Sequence, residues 1–394
     1  MNEVIGLFSG IGGLELGLNQ AEWHSSFFCE IDPFAREVLK LNFGLKDENL
    51  CEDVRCLQSI PSGKIIAAGF PCQDLSQAGK MAGIKGMRSG LVSEIFRLLN
   101  MSKPPWILME NVPFMLRLQR GQAMKYITES LEGFGYSWAY RTVNTRSFGL
   151  PHRRQRVLIL ASNKYDPRGV LFNEDYGESV DEDDWETNAN GFYWTEGSTG
   201  VGWAPNHLPP LKCGSSISIP SPPAIWIPDT IRTTKYRFIT PTIEDAESLQ
   251  GFAPKWTKSL KCISGKTERK RWALVGNAVS VPVAKWIGQR IRNYDDNFSE
   301  NKIRDAKCKF SKWPKAAWGS SKGGKWGANV SEWPVGIKSK SLLEFLQNVD
   351  KCQPLSLKAA KGFLSRFTSG NLKAGGARSE LIESLRRHIR MMQG

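Results

Sequence analysis

The sequence predicts an α/β fold, with a helix-flanked sheet, a smaller irregular insert and a basic C-terminal extension. Three observations carry this expectation. Over the first 165 residues, short apolar runs alternate with amphipathic segments of helical length, as in α/β sheets. After Ser162 the alternation stops, and residues 164–235 lack a long helical period. From Asp295 onward, Lys and Arg outnumber Asp and Glu by 19 to 9, against 34 to 30 over the preceding 294 residues.

In chain order, strands are expected at "EVIGLF", "SSFFCEI", "KIIAAGF", "WILMEN", "SWAYRTVN" and "RVLILAS", with helices over 13–21, 33–42, 91–101 and 121–134. The insert holds the acidic run "EDYGESVDEDDWE" (174–186) and is rich in Gly, Pro, Ser and Trp, which reads as a loop-dominated region. A helical pattern returns at "FITPTIEDAESLQGF" and closes with "NAVSVPVAKWIGQRIRNY". The extension contains "SKWPKAAWGSSKGGKWGANVSEWPV", with four tryptophans, and ends in helices expected over 341–349, 356–368 and 377–392. The expected division is therefore 1–163 with 236–294, then 164–235, then 295–394.

Composition narrows the class. The 394 residues are 41% hydrophobic and 23% charged, ordinary values for a globular protein. No apolar stretch of about 18 residues appears, and the N-terminus opens directly on a strand, so neither a membrane span nor a signal peptide is expected. The eight cysteines form no CxxC pair and the four histidines no HxxxH, which argues against a metal site and a disulfide scaffold. Reduced thiols in a cytoplasm are the simplest reading. The net charge of +14, weighted toward the tail, suggests a polyanion partner such as nucleic acid. A solvated, solubilising tail is the alternative.

"VIGLFSGIGGLELGL" reads as strand, tight glycine turn and helix. Gly10, Gly12 and Gly13 let the backbone approach a ligand, with free N–H groups at the helix start. A nicotinamide fingerprint places its third glycine at position 15, where this chain has Glu15, so an NAD-dependent oxidoreductase is disfavoured. Glu30, twenty residues past Gly10, ends the second strand, where an acid can accept both hydroxyls of a ribose. Asp53 in "CEDVR" follows the next segment and can accept from an adenine amino group. Together they favour an adenosine cofactor over a glycine turn that merely reverses the chain.

"GFPCQDLSQAGK" raises a chemical question. Its cysteine, Cys72, stands at the end of the strand "KIIAAGF", where α/β sheets build their sites. Pro71 stiffens the approach. Most cysteines are small buried hydrophobes, yet Cys72 is followed by Gln73, Asp74, Ser76 and glycines at 79, 83, 86 and 90. That composition describes a loop able to move as a lid better than a packing environment.

At these residues the chain resembles the DNA (cytosine-5)-methyltransferases. "FSGIGG" matches their cofactor motif, "GFPCQDLSQAG" their Pro-Cys motif, and "ENV" (110–112) their glutamate motif. "PHRRQRV" matches the arginine motif and "GNAVSVPVA" the C-terminal cofactor motif. The five occur in the family's order across about residues 1–163 and 236–292. The resemblance implies a Rossmann-like sheet that binds S-adenosylmethionine, a target-recognition domain at 164–235, and double-stranded DNA as substrate. It implies Cys72 as nucleophile on cytosine carbon 6, Glu110 holding or donating a proton at ring nitrogen 3, and Arg156 binding the cytosine carbonyl oxygen. Arg154 is expected to contact phosphate or brace the active loop. Phe8, Ser9, Gly10, Gly12, Gly13, Glu30, Asp53, Pro71, Leu91, Asn277 and Ala278 form the implied cofactor set.

The chemistry explains the residue types. Carbon 5 of cytosine is a poor nucleophile until a thiolate adds at carbon 6. A free thiol with a pKa of about 8.5 is only a few per cent ionised at neutral pH, so nearby positive charge helps. A duplex cytosine must first be flipped out. Two departures from the family are visible: His152 stands where glutamine is usual, and Leu75 where phenylalanine is usual. "WTEGSTGVGWAPNHLPPLKCGSSISIPSPPAIWIP" is the expected sequence reader, with the acidic run on the outer surface. The tail tryptophans either grip DNA beside lysines or pack a small core, and deleting 298–394 is expected to weaken binding without changing the modified sequence. Also expected are a prokaryotic cytoplasmic location, a monomeric state and a separately acting restriction endonuclease. An RNA cytosine methyltransferase and a non-catalytic DNA-binding relative are the alternatives.

Overall fold

A computed structural model describes residues 2–71, 90–177, 184–194, 200–212, 222–231, 235–258, 267–295, 312–370 and 374–394, with the backbone of 304–307. Cys72, Leu75, the expected lid, residues 178–183 of the acidic run and residues 195–199 and 213–221 of the expected reader lie outside the described residues. The chain divides into two compact units. The first comprises Met1–Phe148, Gln155–Ser179 and Ala278–Gly336, the second Gly149–Arg154, Val180–Asn277 and Ile337–Gly394.

The strands in chain order are β1 (Glu3–Leu7), β2 (His24–Cys29), β3 (Leu50–Cys51), β4 (Ile65–Ala68), β5 (Trp106–Asn111), β6 (Ser137–Asn144) and β7 (Gln155–Ser162). Then follow β8 (Asn190–Trp194), β9 (Val201–Pro205), β10 (Ala224–Trp226) and β11 (Phe238–Thr240). The tail adds β12 (Arg304–Lys307), β13 (Ala316–Ser320), β14 (Gly324–Ala328) and β15 (Gln353–Pro354).

The first unit is a ten-stranded sheet in the order β12-β14-β13-β6-β7-β5-β4-β1-β2-β3. β3, β2, β1, β4 and β5 run parallel, while β7, β6, β13, β14 and β12 add antiparallel pairs. β4, β5 and most of β6 are buried throughout, as central strands covered on both faces must be. All six expected strands are present. The helices Gly13–Gln20, Pro33–Phe43, Leu91–Leu99 and Gln122–Gly133 fall where the apolar period put them. Helix Pro33–Phe43 starts where Asp32 accepts the Phe34 N–H at 2.9 Å, an N-cap that satisfies an otherwise orphaned donor. Helix Gly13–Gln20 packs closely on Val281–Arg292. A side chain at Gly17 would run into the Val281 carbonyl and Ala284, so the glycine is what lets the C-terminal cofactor segment lie against the glycine turn's own helix.

The second unit is a five-stranded antiparallel sheet, β15-β11-β10-β8-β9. The region that reads as loop-dominated thus contains three strands, each only three to five residues long. Their brevity explains why no period is visible in the sequence. Helices Leu357–Ser369 and Ala377–Met391 cover this sheet, with Phe363, Phe367, Leu381 and Leu385 packed against Phe192, Trp226 and Phe238.

The tail is therefore not a separate extension. Residues up to Gly336 continue the large sheet, and the rest completes the core of the smaller one. Trp313 is 6% exposed, packs on Trp138 and Tyr140, and donates from Nε1 to the Gly121 carbonyl at 3.0 Å. Trp318 lies beneath the Arg168 guanidinium, 4.2 Å from its carbon to the ring centroid. Core packing accounts for Trp313 and Trp318, while Trp326 and Trp333 are partly exposed. The acidic run is also partly structural. Asp175 pairs with the fully buried Arg141 at 2.7 Å, and Glu174 with Arg290 at 3.0 Å. Burial lowers the Arg141 guanidinium to about 10, against the pull of Asp175.

Candidate active site

One edge of the first unit gathers the expected residues. Because β3, β2, β1, β4 and β5 are parallel neighbours, their carboxyl ends present Asp53, Glu30, the Phe8–Gly13 turn, Pro71 and Glu110 along the same edge. Open α/β sheets bind their ligands there. β7 runs antiparallel to β5 and enters the sheet at that edge with Gln155 and Arg156.

The glycine turn is built from left-handed backbone at Phe8 (φ 57°), Gly10 (φ 55°) and Gly12 (φ 84°). A side chain at Gly12 would strike the Phe43 ring, whereas a β-carbon at Gly10 would meet nothing within 4 Å. Space is thus kept open above the turn. Glu30 closes it from β2: Oε2 accepts the Gly10 N–H at 2.7 Å and Oε1 the Asp32 N–H at 2.8 Å. Burial pushes this carboxyl up while both amide bonds oppose the shift. Each oxygen retains a lone pair, so the oriented carboxylate can accept from a vicinal diol. These features fit an adenosine cofactor. Ser9 is buried within the turn, and Leu91 opens the helix Leu91–Leu99 after Gly90.

Asp53 occupies the expected strand end, but Arg55 engages both its oxygens. Oδ1 caps the turn Val54–Cys56 through the Arg55 N–H at 3.0 Å, and Oδ2 takes the guanidinium at 2.6 Å. These bonds hold its carboxyl below the usual range.

At the end of β5, Glu110 is 7% exposed and pairs with Arg156, Oε1 to Nε at 2.6 Å. Arg156 also donates from Nη1 to the Gln155 carbonyl at 2.7 Å. Burial lowers the guanidinium, and Glu110 counteracts this. A β-carbon at Gly69 would lie 3.8 Å from Glu110 Oε2, 3.7 Å from the Phe8 carbonyl and 3.8 Å from Val279 Cγ2. The glycine turn, the approach to Pro71, the acid and the residue after Ala278 therefore meet at one point. Asn111 fixes the geometry, donating from Nδ2 to the Phe70 carbonyl at 2.9 Å.

Arg154, expected to contact phosphate or to brace, makes its described bond as a brace. It belongs to the second unit whereas Arg156 belongs to the first. It is 1% exposed and donates from Nη1 to the Gly276 carbonyl at 3.0 Å. A guanidinium buried this far is arranged for bracing rather than for phosphate, and it braces the helix end before Asn277. Gln250 supports the same helix end, donating to the Val275 carbonyl at 3.0 Å. Two buried acids escaped the sequence reading as site features. Glu15 lies beneath the glycine turn, and Glu247 sits in the second unit with Arg271 and Thr257. Among the described residues no group of His, Cys, Asp and Glu could hold a metal ion, and no helix is long and apolar enough to cross a membrane.

A glycine turn, a diol-accepting acid and an acid–arginine pair on the carboxyl edge of a parallel sheet define a nucleoside-cofactor α/β enzyme. Residues 2–190 match the family model of the C-5 cytosine-specific DNA methylases. The chain is 48% identical over 381 residues to the Type II methyltransferase M2.BsuMI of Bacillus subtilis (strain 168), covering 92% of each. It is 34% identical over 189 residues to M.NgoBI of Neisseria gonorrhoeae, across 44% of this chain and 59% of that one. In structure it resembles the S. pombe Dnmt2 methyltransferase, with a TM-score of 0.51 at 17% identity over 75% of this chain and 100% of that one. That likeness is one of fold. The chain belongs to the C-5 cytosine-specific DNA methylase family. It is a DNA (cytosine-5)-methyltransferase, with S-adenosylmethionine as its methyl donor, and the RNA-modifying and non-catalytic alternatives yield to that reading.

Proposed function

We propose that the chain methylates a flipped-out cytosine within a specific duplex sequence through a transient bond from Cys72 to carbon 6. The Cys72 thiolate adds to carbon 6, and the displaced electron pair moves toward ring nitrogen 3, where Glu110 supplies or holds a proton. Carbon 5 is then nucleophilic. S-adenosylmethionine would be held by Phe8, Ser9, Gly10, Gly12, Gly13, Glu30, Leu91 and Ala278, and would supply the electrophilic methyl group that carbon 5 takes, leaving as S-adenosylhomocysteine. A base next removes the carbon 5 proton, the carbon–sulfur bond breaks, and the thiolate leaves with its electron pair. Arg156 holds the cytosine carbonyl oxygen and, through its ion pair, keeps Glu110 oriented. Asn277 and Arg154 serve by position, Arg154 through the Gly276 carbonyl. Asp53 accepts from the adenine once Arg55 yields one of its bonds.

The observation that carries this reading is the Glu110–Arg156 pair, 2.6 Å apart and beside Gly69, two residues before Pro71. Flipping the base costs a few kcal/mol, which phosphate contacts and the reading segment offset. The second unit supplies that segment. The expected reader, residues 194–228, mixes Gly, Ser and Asn with aromatic groups; Trp226 is committed to the core, and the polar positions are the groups able to reach base edges. Because the relatives above are Type II methyltransferases, the chain is read as protecting DNA against a separately acting endonuclease. It would do so as a monomer in a prokaryotic cytoplasm, close to the nucleoid.

Cys72→Ser is expected to abolish methyl transfer while S-adenosylmethionine binding stays within about two-fold. A duplex carrying 5-fluorocytosine should trap a covalent adduct on Cys72, because the fluorine cannot leave as a proton does. An active preparation that gave no adduct, or one on another residue, would end this mechanism. Bisulfite sequencing of DNA from expressing cells identifies the modified sequence.

A further inference from the structure

His152 interrupts the family's arginine motif where glutamine is usual, and the structure gives it work. It is fully buried. Its Nε2 lies 2.9 Å from the backbone nitrogen of Leu211. A backbone N–H only donates, so Nε2 must accept and the neutral ring carries its proton on Nδ1.

The surrounding backbone makes this contact part of a clasp. Leu208 donates to the Pro151 carbonyl at 2.8 Å, Arg153 donates to the Leu208 carbonyl at 2.8 Å, and His152 bridges Leu208 in parallel register. Pro209 and Pro210 lie between these bonds and the His152 contact, and neither has an N–H to give. Leu211 therefore offers the first donor after Leu208, and His152 takes it. Two residues on, Arg154 holds the Gly276 carbonyl. The segment Gly149–Arg154 thus grips the extended stretch Leu208–Leu211 through one side chain, and the helix end before Asn277 through another. Both grips lie within the second unit.

We propose that His152 is a positioning residue that sets the register of the target-reading segment against the arginine motif, with Nε2 replacing a glutamine carbonyl as acceptor for Leu211. The inference rests on the reading that the second unit recognises DNA. It yields an asymmetric expectation. Removing the acceptor leaves a buried N–H unsatisfied within the reading segment, so DNA engagement suffers and cofactor binding does not.

The test compares His152→Gln with His152→Leu in the full chain, using duplex DNA that carries the site found by bisulfite sequencing. His152→Leu should raise KM for DNA about ten-fold or more. It should also reduce discrimination against one-base-altered sites, with S-adenosylmethionine affinity unchanged by calorimetry. His152→Gln should restore both DNA parameters to within about three-fold of wild type. If His152→Leu melts well below wild type, His152→Phe, which keeps an aromatic ring and also lacks an acceptor, replaces it. Wild-type KM and discrimination in the acceptor-free variant would overturn the proposal. So would a glutamine variant, folded by its melting curve, that is as impaired as the leucine one. A separate arm replaces residues 213–221 with a Gly-Ser segment. An unchanged modified sequence there defeats the recognition reading itself, whatever His152 does.

Discussion

The two sheets of this molecule are built on opposite rules. The large sheet takes its five parallel strands from the first 111 residues, and of these β1, β4 and β5 are largely apolar and buried. The small sheet joins strands of two to five residues, and its fifth strand and two covering helices come from residues 353–391. The parallel strands that end at Glu30 and Glu110 are thus complete by residue 111, although β6, β7 and the tail strands extend the same sheet, while the small sheet closes with chain that arrives more than a hundred residues after β11.

The most severe way to break this comparison is truncation after Gly336. It removes β15 and both helices, so Phe192, Trp226 and Phe238 lose Phe363, Phe367, Leu381 and Leu385. Phe363→Ala alone should cost about 3–5 kcal/mol, and the truncation should unfold the second unit outright. Methyl transfer should vanish while S-adenosylmethionine binding by the first unit falls no more than a few-fold. A truncated chain that modified DNA normally would show that the second unit does not need its tail. The deletion of 298–394 imagined from charge alone is harsher still, because it also strips β13 from β6 and Trp313 from Gly121.

Within the first unit, the sharpest probe is the pair at β5. Glu110→Gln keeps the shape but leaves the Arg156 guanidinium buried without its counter-charge. Turnover should fall about 10²–10⁴-fold, the range for a lost proton-transfer group, while the cofactor dissociation constant stays nearly constant. Near-normal turnover would move the proton at ring nitrogen 3 to another group. The same substitution at an exposed acid of the second unit, such as Glu383, which pairs with Arg386 at 3.5 Å on the surface, should change nothing measurable.

How much was legible in the sequence follows the same division. The strands of the catalytic sheet were readable because buried parallel strands are continuous apolar runs and their helices keep a clean period. Glu30 and Glu110 were readable because strand ends can be counted. β8 to β11 and β13 to β15 were not, since β8, β9, β13 and β14 interrupt their apolar residues with Gly, and β10, β11 and β15 are only two or three residues long. The partner of Arg154 was not legible: the Gly276 carbonyl lies 122 residues further along the chain, a tertiary contact that the alternation in "HRRQR" does not encode. Glu15 was noticed only as a missing glycine. Its neighbour in space is Gly6, nine positions earlier, which no local pattern connects to it.

The finest comparison is between two fully buried glutamates, one in each unit. Glu247 is compensated: Arg271 lies 3.0 Å away, and Lys255 and Thr257 donate backbone N–H groups at 2.6 and 2.9 Å. Glu247→Gln strands that arginine and should destabilise by about 3–5 kcal/mol. Glu15 pairs with no cation among the described residues. Its carboxyl fills the space a side chain at Gly6 would take, beside the Ser9 hydroxyl. Burial pushes it up from 4.5 to about 7, with Glu30 adding to the shift and Ser9 opposing it. Because the folded value exceeds the unfolded one, the folded state binds the extra proton between those limits. Its contribution is therefore complete below about pH 4.5 and is lost as pH rises through 7. A shift of this size corresponds to about 3 kcal/mol. Glu15→Gln cannot ionise, so its stability relative to wild type should climb by about that amount between pH 4.5 and 8 in urea unfolding. A difference that stays flat with pH would mean Glu15 is ionised beneath the glycine turn, and the cofactor loop would then rest on a buried negative charge.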